Sequence, residues 1–270
     1  MWPDQVRLDQ RAEMTNKLMA RFVAVGVAVA MVFLVSAPVA GQPKAAKPAP
    51  RTPDGKPDLS GFWQGPLLRN MFASVGGAPL TPAGEAAYKY NMTQSVNPEG
   101  LCLFAGIPRA SISGVPFEIV QTSNRVAFLY ELMTTFRSIP LDGRDHPKDI
   151  EPSFFGSGIG KWDGDTLVID SIGFKDKLSW IDDDAHPHSD AMHVVERWSR
   201  PDWDHLAHEV TVEDSKFYSK AWTFKRVFTH MAPGQELMEF ACDENNLDRE
   251  GGRLGFGPHE PSKYPMNPKK

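Results

Sequence analysis

The chain has 270 residues and a formal net charge of −5, with 29 Lys and Arg residues against 34 Asp and Glu residues. The basic residues form no cluster outside the C-terminal tail, which argues against electrostatic capture of DNA or RNA. The two cysteines, Cys102 and Cys242, are too few and too widely spaced for a Cys-rich structural zinc site. Beyond its N-terminal region, the chain has the length of one domain with a single core.

Residues 1–41 have the layout of a cleaved secretion signal, with Met14 as an alternative start. A cationic lead precedes an apolar run from Phe22 to Val35, and small residues follow it up to Gly41. Because the run is shorter than the ~20 residues that cross a bilayer, we expect cleavage rather than anchoring. The mature protein is therefore expected to be exported, to the periplasm or the medium, without a membrane span.

Residues 42–57 are rich in Pro, Ala and Lys and lack apolar periodicity, so they are predicted to be a semi-extended tether. Residues 58–270 then form the single folded domain. An oxidising compartment permits a disulfide between Cys102 and Cys242, and the alternative is a pair of buried free thiols.

The first predicted element is a short helix from Ala83 to Asn91, with Thr81 as N-cap and Pro82 in its first turn. From Phe117 onward, short β-branched and aromatic segments alternate with turn residues, which is typical of a mainly β domain. The predicted strands are Phe117–Thr122, Arg125–Glu131, Thr135–Leu141, Gly158–Trp162, Asp165–Phe174, His193–Arg200, Leu206–Asp214, Trp222–Met231 and Glu236–Asp243.

Tight connections join most of these strands, and Asp163-Gly164 is the strongest hairpin signal among them. Successive hairpins make an antiparallel meander, and a meander of eight or nine strands usually closes so that no edge is left unpaired. The sequence therefore predicts an up-and-down β-barrel with one short helix before it. An open sheet or a sandwich is the alternative.

The segment from Thr52 to Trp63 resembles the opening of a group of secreted bacterial proteins whose activity is uncharacterised, and further landmarks extend the likeness over nearly the whole mature chain. That resemblance implies no activity. Gly61-Phe62-Trp63 is also similar to the Gly-x-Trp triplet of the calycins, the lipocalin and fatty-acid-binding superfamily, which implies a barrel around an apolar ligand cavity. In lipocalins the tryptophan packs under a basic residue, a role that the resemblance assigns to Arg226, whereas the later Thr-Asp-Tyr or Thr-Asp-Trp motif is missing.

Ionisable side chains concentrate between Asp182 and Glu196, in a long loop and the start of the strand that follows it. An imidazole held beside a carboxylate can act as a general acid or base near neutral pH. A second long loop presents Arg144 and His146 beside an Asp-Gly turn. The predicted catalytic residues are His188, His193, His146 and Glu196. The alternative interpretation of Asp182 to Asp184 is a solvated acidic turn.

Loop position and strand parity give a second set of residues, which are predicted to bind the ligand. A guanidinium among them can clamp a carboxylate or phosphate. The members of this set are Arg144, Arg137, Glu131, Arg226 and Trp198.

A metal cofactor is not expected, because no His-Glu-x-x-His or comparable spacing occurs. Imidazole and carboxylate ligands nevertheless suit zinc, manganese or non-haem iron. If a metal is present, its ligands would be His186, His188 and His193.

The function predicted from these patterns is cofactor-free acid/base chemistry on a small, partly apolar molecule, of a lyase, isomerase or hydrolase type. The alternative is a non-catalytic, lipocalin-like binding protein. Either function makes a small molecule the partner, and the sequence leaves the oligomeric state open.

Overall fold

The structure is a computed structural model that describes residues 46–73, 76–244, 246 and 257. The predicted secretion signal, residues 1–41, lies outside the described residues, as does the first part of the predicted tether. Among the described residues, no helix has both the length and the apolar character needed to cross a bilayer.

Nine strands, each antiparallel to its neighbours, form one sheet: β1 (Gly61–Gln64), β2 (Phe117–Gln121), β3 (Arg125–Tyr130), β4 (Thr135–Pro140), β5 (Ser157–Asp163), β6 (Thr166–Ile172), β7 (His193–Ser199), β8 (His205–Glu213) and β9 (Trp222–His230). Their order across the sheet is β4-β3-β2-β1-β9-β8-β7-β6-β5. The end strands β4 and β5 lie against each other without a hydrogen-bonded ladder. The predicted mainly β meander is confirmed, and it is a nearly closed barrel rather than an open sheet.

The helix α1 (Pro82–Gln94) precedes every strand except β1. Thr81 is its N-cap, because the Thr81 side chain accepts a hydrogen bond from the Gly84 N–H at 3.1 Å. Pro82 occupies the first turn, where backbone N–H groups have no acceptor within the helix, so the N–H that proline lacks costs no hydrogen bond. The start of the predicted helix is confirmed, and its end lies three residues further along the chain.

The predicted ninth strand, Glu236–Asp243, is wrong, because this segment is irregular and its place in the sheet belongs to β1. The segment is attached to the barrel through side chains instead. The Met238 N–H donates to the Glu131 carboxylate at 2.9 Å, and the Phe240 N–H donates to the Thr134 hydroxyl at 2.8 Å. The pairing of Cys102 with Cys242 is confirmed, with 5.6 Å between their Cα atoms.

The described part of the predicted tether, residues 46–57, runs along the barrel surface. The Lys47 carbonyl accepts from the Trp203 N–H at 2.8 Å, and the Lys47 ammonium lies 3.1 Å from the centre of the Trp203 ring. Arg51 forms an ion pair with Asp165 at 2.6 Å. These contacts join the segment to the β7–β8 and β5–β6 turns.

Two apolar clusters fill the barrel, because alternate residues of each strand point inward. The first is built around Trp63, Phe117 and Trp198. The second lies where β7 and β9 begin and β8 ends, and its main aromatic members are Phe72 and Trp222. The segments 68–72, 107–112 and 181–192 contribute to this second cluster, and we call this part of the barrel the loop-covered end.

Candidate functional site

The barrel interior holds a cluster of polar side chains between the two apolar clusters. Glu196 on β7 faces inward with Val194 and Trp198. Its carboxylate oxygens lie 2.5 Å from Arg137 Nη1 on β4 and 3.2 Å from His208 Nε2 on β8. We call Arg137, Glu196 and His208 the interior cluster.

Arg137 crosses the seam between β4 and β5, where no ladder joins the strands. Its Nη2 donates to the Ser171 hydroxyl on β6 at 2.7 Å. The crossing passes over Gly158 on β5, where an added Cβ would lie 2.7 Å from Ile139 Cδ1 and 3.1 Å from Arg137 Nη2. The interior cluster therefore closes the barrel through side chains where backbone pairing is missing.

The protonation states of the interior cluster follow from burial and charge. Burial acts to raise the pKa of Glu196, but the positive charge of Arg137 and the hydrogen bond with His208 outweigh it and bring the pKa to about 2. Burial lowers the pKa of His208, whose ring stacks on Trp198 with 3.6 Å between centroids. Glu196 is thus ionised and His208 neutral at neutral pH.

Arg226 lies on the inward face of β9, beside His208 in the strand register. Its guanidinium lies 4.3 Å from the centre of the Phe228 ring, and its Nη2 donates to the Pro66 carbonyl at 2.9 Å. The calycin resemblance implies that Arg226 packs on Trp63, but it packs on Phe228 instead. Arg200 takes that place, 4.7 Å from the ring of Trp63.

A second carboxylate–imidazole pair, Asp182 and His186, lies at the loop-covered end. The Asp182 side chain is fully buried, and its two oxygens lie 2.9 and 2.8 Å from His186 Nδ1. The backbone N–H groups of Met71, Asp184 and His186 also donate to this carboxylate, at 3.1, 3.1 and 3.3 Å. Four donors thus fix the carboxylate in one orientation.

The ring of His186 lies between two aromatic side chains. The Tyr88 ring stacks on it at 4.8 Å, and the Phe72 ring is tilted against it at 4.6 Å. An ionised carboxylate only accepts hydrogen bonds, so Nδ1 carries the hydrogen and Nε2 is the acceptor of the neutral ring. Nε2 has no hydrogen-bond partner among the described residues. Ala185, directly before His186, has φ +67°, a left-handed conformation that is costly for a non-glycine residue.

The aspartates next to Asp182 also have partners in the fold. Asp183 Oδ1 lies 2.8 Å from Arg109 Nη2, and Asp184 accepts from the Asn70 side-chain amide at 2.6 Å. The interpretation of these three aspartates as a solvated acidic turn is therefore wrong. They join the 181–192 segment to the segments that contain Asn70 and Arg109.

Two of the predicted catalytic residues meet on the outer face of the barrel. Asp170 Oδ1 lies 2.9 Å from His146 Nε2 and 3.1 Å from His193 Nε2. Partial burial acts to raise the pKa of Asp170, but the two imidazole hydrogen bonds outweigh it and the pKa is lowered. Asp170 joins the 142–156 connection to β6 and β7.

The remaining predicted catalytic histidine, His188, is buried at the loop-covered end. Its Nδ1 lies 3.2 Å from the Ser189 carbonyl oxygen, and burial lowers the pKa of its imidazole. The four predicted catalytic residues thus occupy three separate places: Glu196 is inside the barrel, His188 lies under the loops, and His146 and His193 share the outer face.

The predicted ligand-binding residues divide in a similar way. Arg137, Arg226 and Trp198 share the barrel interior. Arg144 is exposed and paired with Asp142, and Glu131 accepts the Met238 N–H described above.

The alternative metal-ligand set does not converge. His186 faces Asp182, His193 faces Asp170, and His188 faces the Ser189 carbonyl. Within the described parts of the chain, no three His, Cys, Asp or Glu side chains are grouped so that they can hold a metal ion.

His208 and the pairing of Asp182 with His186 were not among the features predicted from the sequence. The inward direction of His208 could have been predicted, because His208 shares the parity of Leu206 and Val210 on a predicted strand. The Asp182–His186 pair gives no comparable sequence signal, since its geometry depends on Met71, far away in the chain, and on the conformation of Ala185.

No protein-family model matches this chain, and searches of curated proteins and of solved structures find no match either. The class of protein therefore follows from architecture alone: a nearly closed antiparallel barrel of nine strands, compatible with a calycin-like fold. Membership of the secreted family suggested by the Thr52 to Trp63 opening stays a prediction.

Proposed function

We propose that this protein acts on a small, partly apolar molecule by cofactor-free acid/base chemistry, with Asp182 and His186 as the proton-transfer pair. The observation that supports this is the orientation of His186, whose Nδ1 faces a fully buried carboxylate while Nε2 has no partner among the described residues. A neutral imidazole held in this way presents its basic nitrogen to a substrate. Lyase, isomerase and hydrolase reactions all include a proton transfer that such a base can perform.

The surroundings of His186 fit a substrate with an apolar part. Phe72 and Tyr88 flank the ring, and Phe72 in turn contacts Trp222, with 4.6 Å between ring centroids. Burial, followed by the charges of Asp184 and Asp182, raises the pKa of the Tyr88 phenol. Tyr88 therefore stays protonated and can donate a hydrogen bond to an oxygen of the substrate.

The proposed setting is the periplasm or the medium. The Cys102–Cys242 disulfide supports it, because structural disulfides persist in oxidising compartments.

Binding without turnover is the second candidate function, and the barrel fold favours it. Calycin-like barrels hold small molecules in their interior, and this interior combines aromatic walls with charged side chains. In that case Asp182 and His186 would only stabilise the loop-covered end.

Hydrolysis of p-nitrophenyl acetate by the purified mature protein separates the two functions. The test compares H186N with H205N, because Asp202 and His205 form an exposed pair with the same Nδ1 distances, 2.8 and 2.9 Å. General-base catalysis by His186 predicts that H186N lowers the rate by roughly 100-fold or more while H205N leaves it unchanged. Equal rates in both variants and in the wild type would contradict the proposal.

A further inference from the structure

Four arginine side chains are buried in the described part of the chain. Three of them each donate to at least two acceptors, although Nε of one of these, Arg137, has no partner among the described residues. Arg109 pairs with Glu99 and Asp183 at 2.9 and 2.8 Å, and Arg137 pairs with Glu196. Arg200 donates to backbone carbonyls, those of Asp58 at 2.6 Å and Trp203 at 2.8 Å among them. The fourth is Arg226.

Arg226 is 7% exposed and makes one hydrogen bond, from Nη2 to the Pro66 carbonyl. Its Nε and Nη1 are sealed from solvent and have no partner among the described residues. Buried N–H groups without acceptors are rare in folded proteins because each loses its hydrogen bonds to water without replacement, and the cost is larger when the group is charged. The unmatched donors therefore indicate that an acceptor belongs beside Arg226.

The charge around Arg226 is also unbalanced. Glu196 is neutralised by Arg137, and the neighbouring His208 is neutral, so neither supplies a negative charge to Arg226. Burial lowers the pKa of Arg226 to about 10, because no carboxylate among the described residues offsets it. Arg226 is thus a buried cation without a counter-charge among the described residues, and a bound anion would neutralise it.

A short segment, Gly65-Pro66, separates Arg226 from an outer cavity. Gly65 lies so close to the guanidinium that an added Cβ would overlap Arg226 Nη2. Gly65 and Pro66 also line a cavity of about 360 Å³, together with Gln64 and the residues from Thr229 to Ala232. β1 ends at Gln64, so this segment, and not a strand, covers β9 at Arg226.

We propose that Arg226 is an anion-binding residue that receives the carboxylate of a small, partly apolar ligand. The ligand enters from the outer cavity by displacing Gly65-Pro66, and its oxygens accept from Nε and Nη1 of the guanidinium, the donors that no described residue pairs with. Phe228, against which the guanidinium packs, and Phe224 on the same face of β9 contact the apolar part. The proposal goes beyond the proton-transfer pair and does not depend on it, since the two observations share no residue.

Binding of sodium octanoate to the purified mature protein, measured by isothermal titration calorimetry, tests this inference. Octan-1-ol and octyltrimethylammonium serve as neutral and cationic counterparts, and acetate as the anion without an apolar body. Octanoate is expected to bind roughly 10- to 100-fold more tightly than the other three, because charge-assisted hydrogen bonds form only with it. Equal binding of octanoate and octanol, or of octanoate and acetate, would overturn the inference.

Variants locate the site. R226Q is expected to weaken octanoate binding by a similar factor, and R226K to weaken it less, because lysine keeps the charge but not the planar fork. R125Q is the matched control, since Arg125 is an exposed arginine that donates to Ser138. H186N is expected to bind octanoate as the wild type does, so failure of the proton-transfer proposal would leave this result unchanged.

Octanoate affinity retained in R226Q would overturn the inference. If R226Q does not fold, R226K and the four-ligand comparison decide it.

Discussion

The barrel interior and the loop-covered end each hold a carboxylate against an imidazole, but the two carboxylates differ in their other partners. In the interior, Glu196 is shared between Arg137 and His208, and the His208 ring is enclosed by Trp198. At the loop-covered end, the donors to Asp182 among the described residues are backbone N–H groups and His186, with no arginine or lysine among them. An ion pair whose charges cancel stabilises the closed barrel, whereas a carboxylate that orients an imidazole leaves a base available.

The largest effect is expected from removing the charge of Glu196. E196Q leaves Arg137 buried without its counter-charge, so the free energy of unfolding should fall by about 3–5 kcal/mol in urea denaturation. E209Q is the surface control, because Glu209 pairs with the exposed Lys225 and such pairs contribute ~1 kcal/mol at most. The double variant R137M/E196L should recover much of the loss. If E196Q and E209Q cost the same, the interior cluster does not close the barrel.

A smaller loss of stability is expected at Asp182. D182N removes a buried acceptor that serves three backbone N–H groups and His186, and the free energy of unfolding should fall by roughly 1–3 kcal/mol. D202N, in the exposed Asp–His pair, should cost less because water replaces the lost acceptor. The variant should also lose the activity on p-nitrophenyl acetate, since its amide no longer holds the hydrogen on Nδ1. A fully active D182N would show that the carboxylate has no part in orienting His186.

The seam offers a third comparison. Gly158→Ala places a methyl group against Arg137 and Ile139, so it should destabilise the protein by about 1 kcal/mol or more. Part of that cost comes from the contact with Arg137. The loss of unfolding free energy caused by Gly158→Ala should therefore be smaller in the R137M/E196L background. An unchanged cost in both backgrounds would show that Arg137 does not pass over Gly158.

The smallest expected effect is a dependence of stability on pH. His208 and His188 have pKa values lowered by burial, below the ordinary value of 6.5. The unfolded chain therefore binds more protons below pH 6.5, and stability, fully present above that value, should decline as the pH falls toward the folded-state pKa. In H208Q the slope of unfolding free energy against pH should be shallower over that range. An identical slope in H208Q and the wild type would exclude His208 as a contributor.

The strands from β2 to β9 were predictable because their two-residue alternation and their turn residues are local properties of the sequence. β1 was not assigned, since it has four residues and its pairing with β2 and β9 is non-local. Glu236–Asp243 has strand-like composition, but Met238 is 72% exposed and the segment has no buried face. Composition alone does not distinguish a strand from a segment attached by side-chain contacts.

The candidate site was predictable in part. Strand parity puts Glu196 on the same face as Val194 and Trp198, and that face is the barrel interior. The density of ionisable residues singled out the region from Asp182 to Glu196, which includes Asp182 and His186. The sequence could not show which residues meet there. His186 and Asp182 meet because Ala185 turns the chain, whereas His193 begins a strand whose parity directs it outward to Asp170.

The tautomer of His186 tests the central claim most directly, because it requires no substrate. Nitrogen-15 NMR of the histidine-labelled mature protein, with H186N to assign the signals, shows which ring nitrogen carries hydrogen when the imidazole is neutral. We expect hydrogen on Nδ1, facing Asp182, and a hydrogen-free Nε2. Hydrogen on Nε2 of the neutral ring would contradict it, because the nitrogen available to a substrate would then be a donor and not a base.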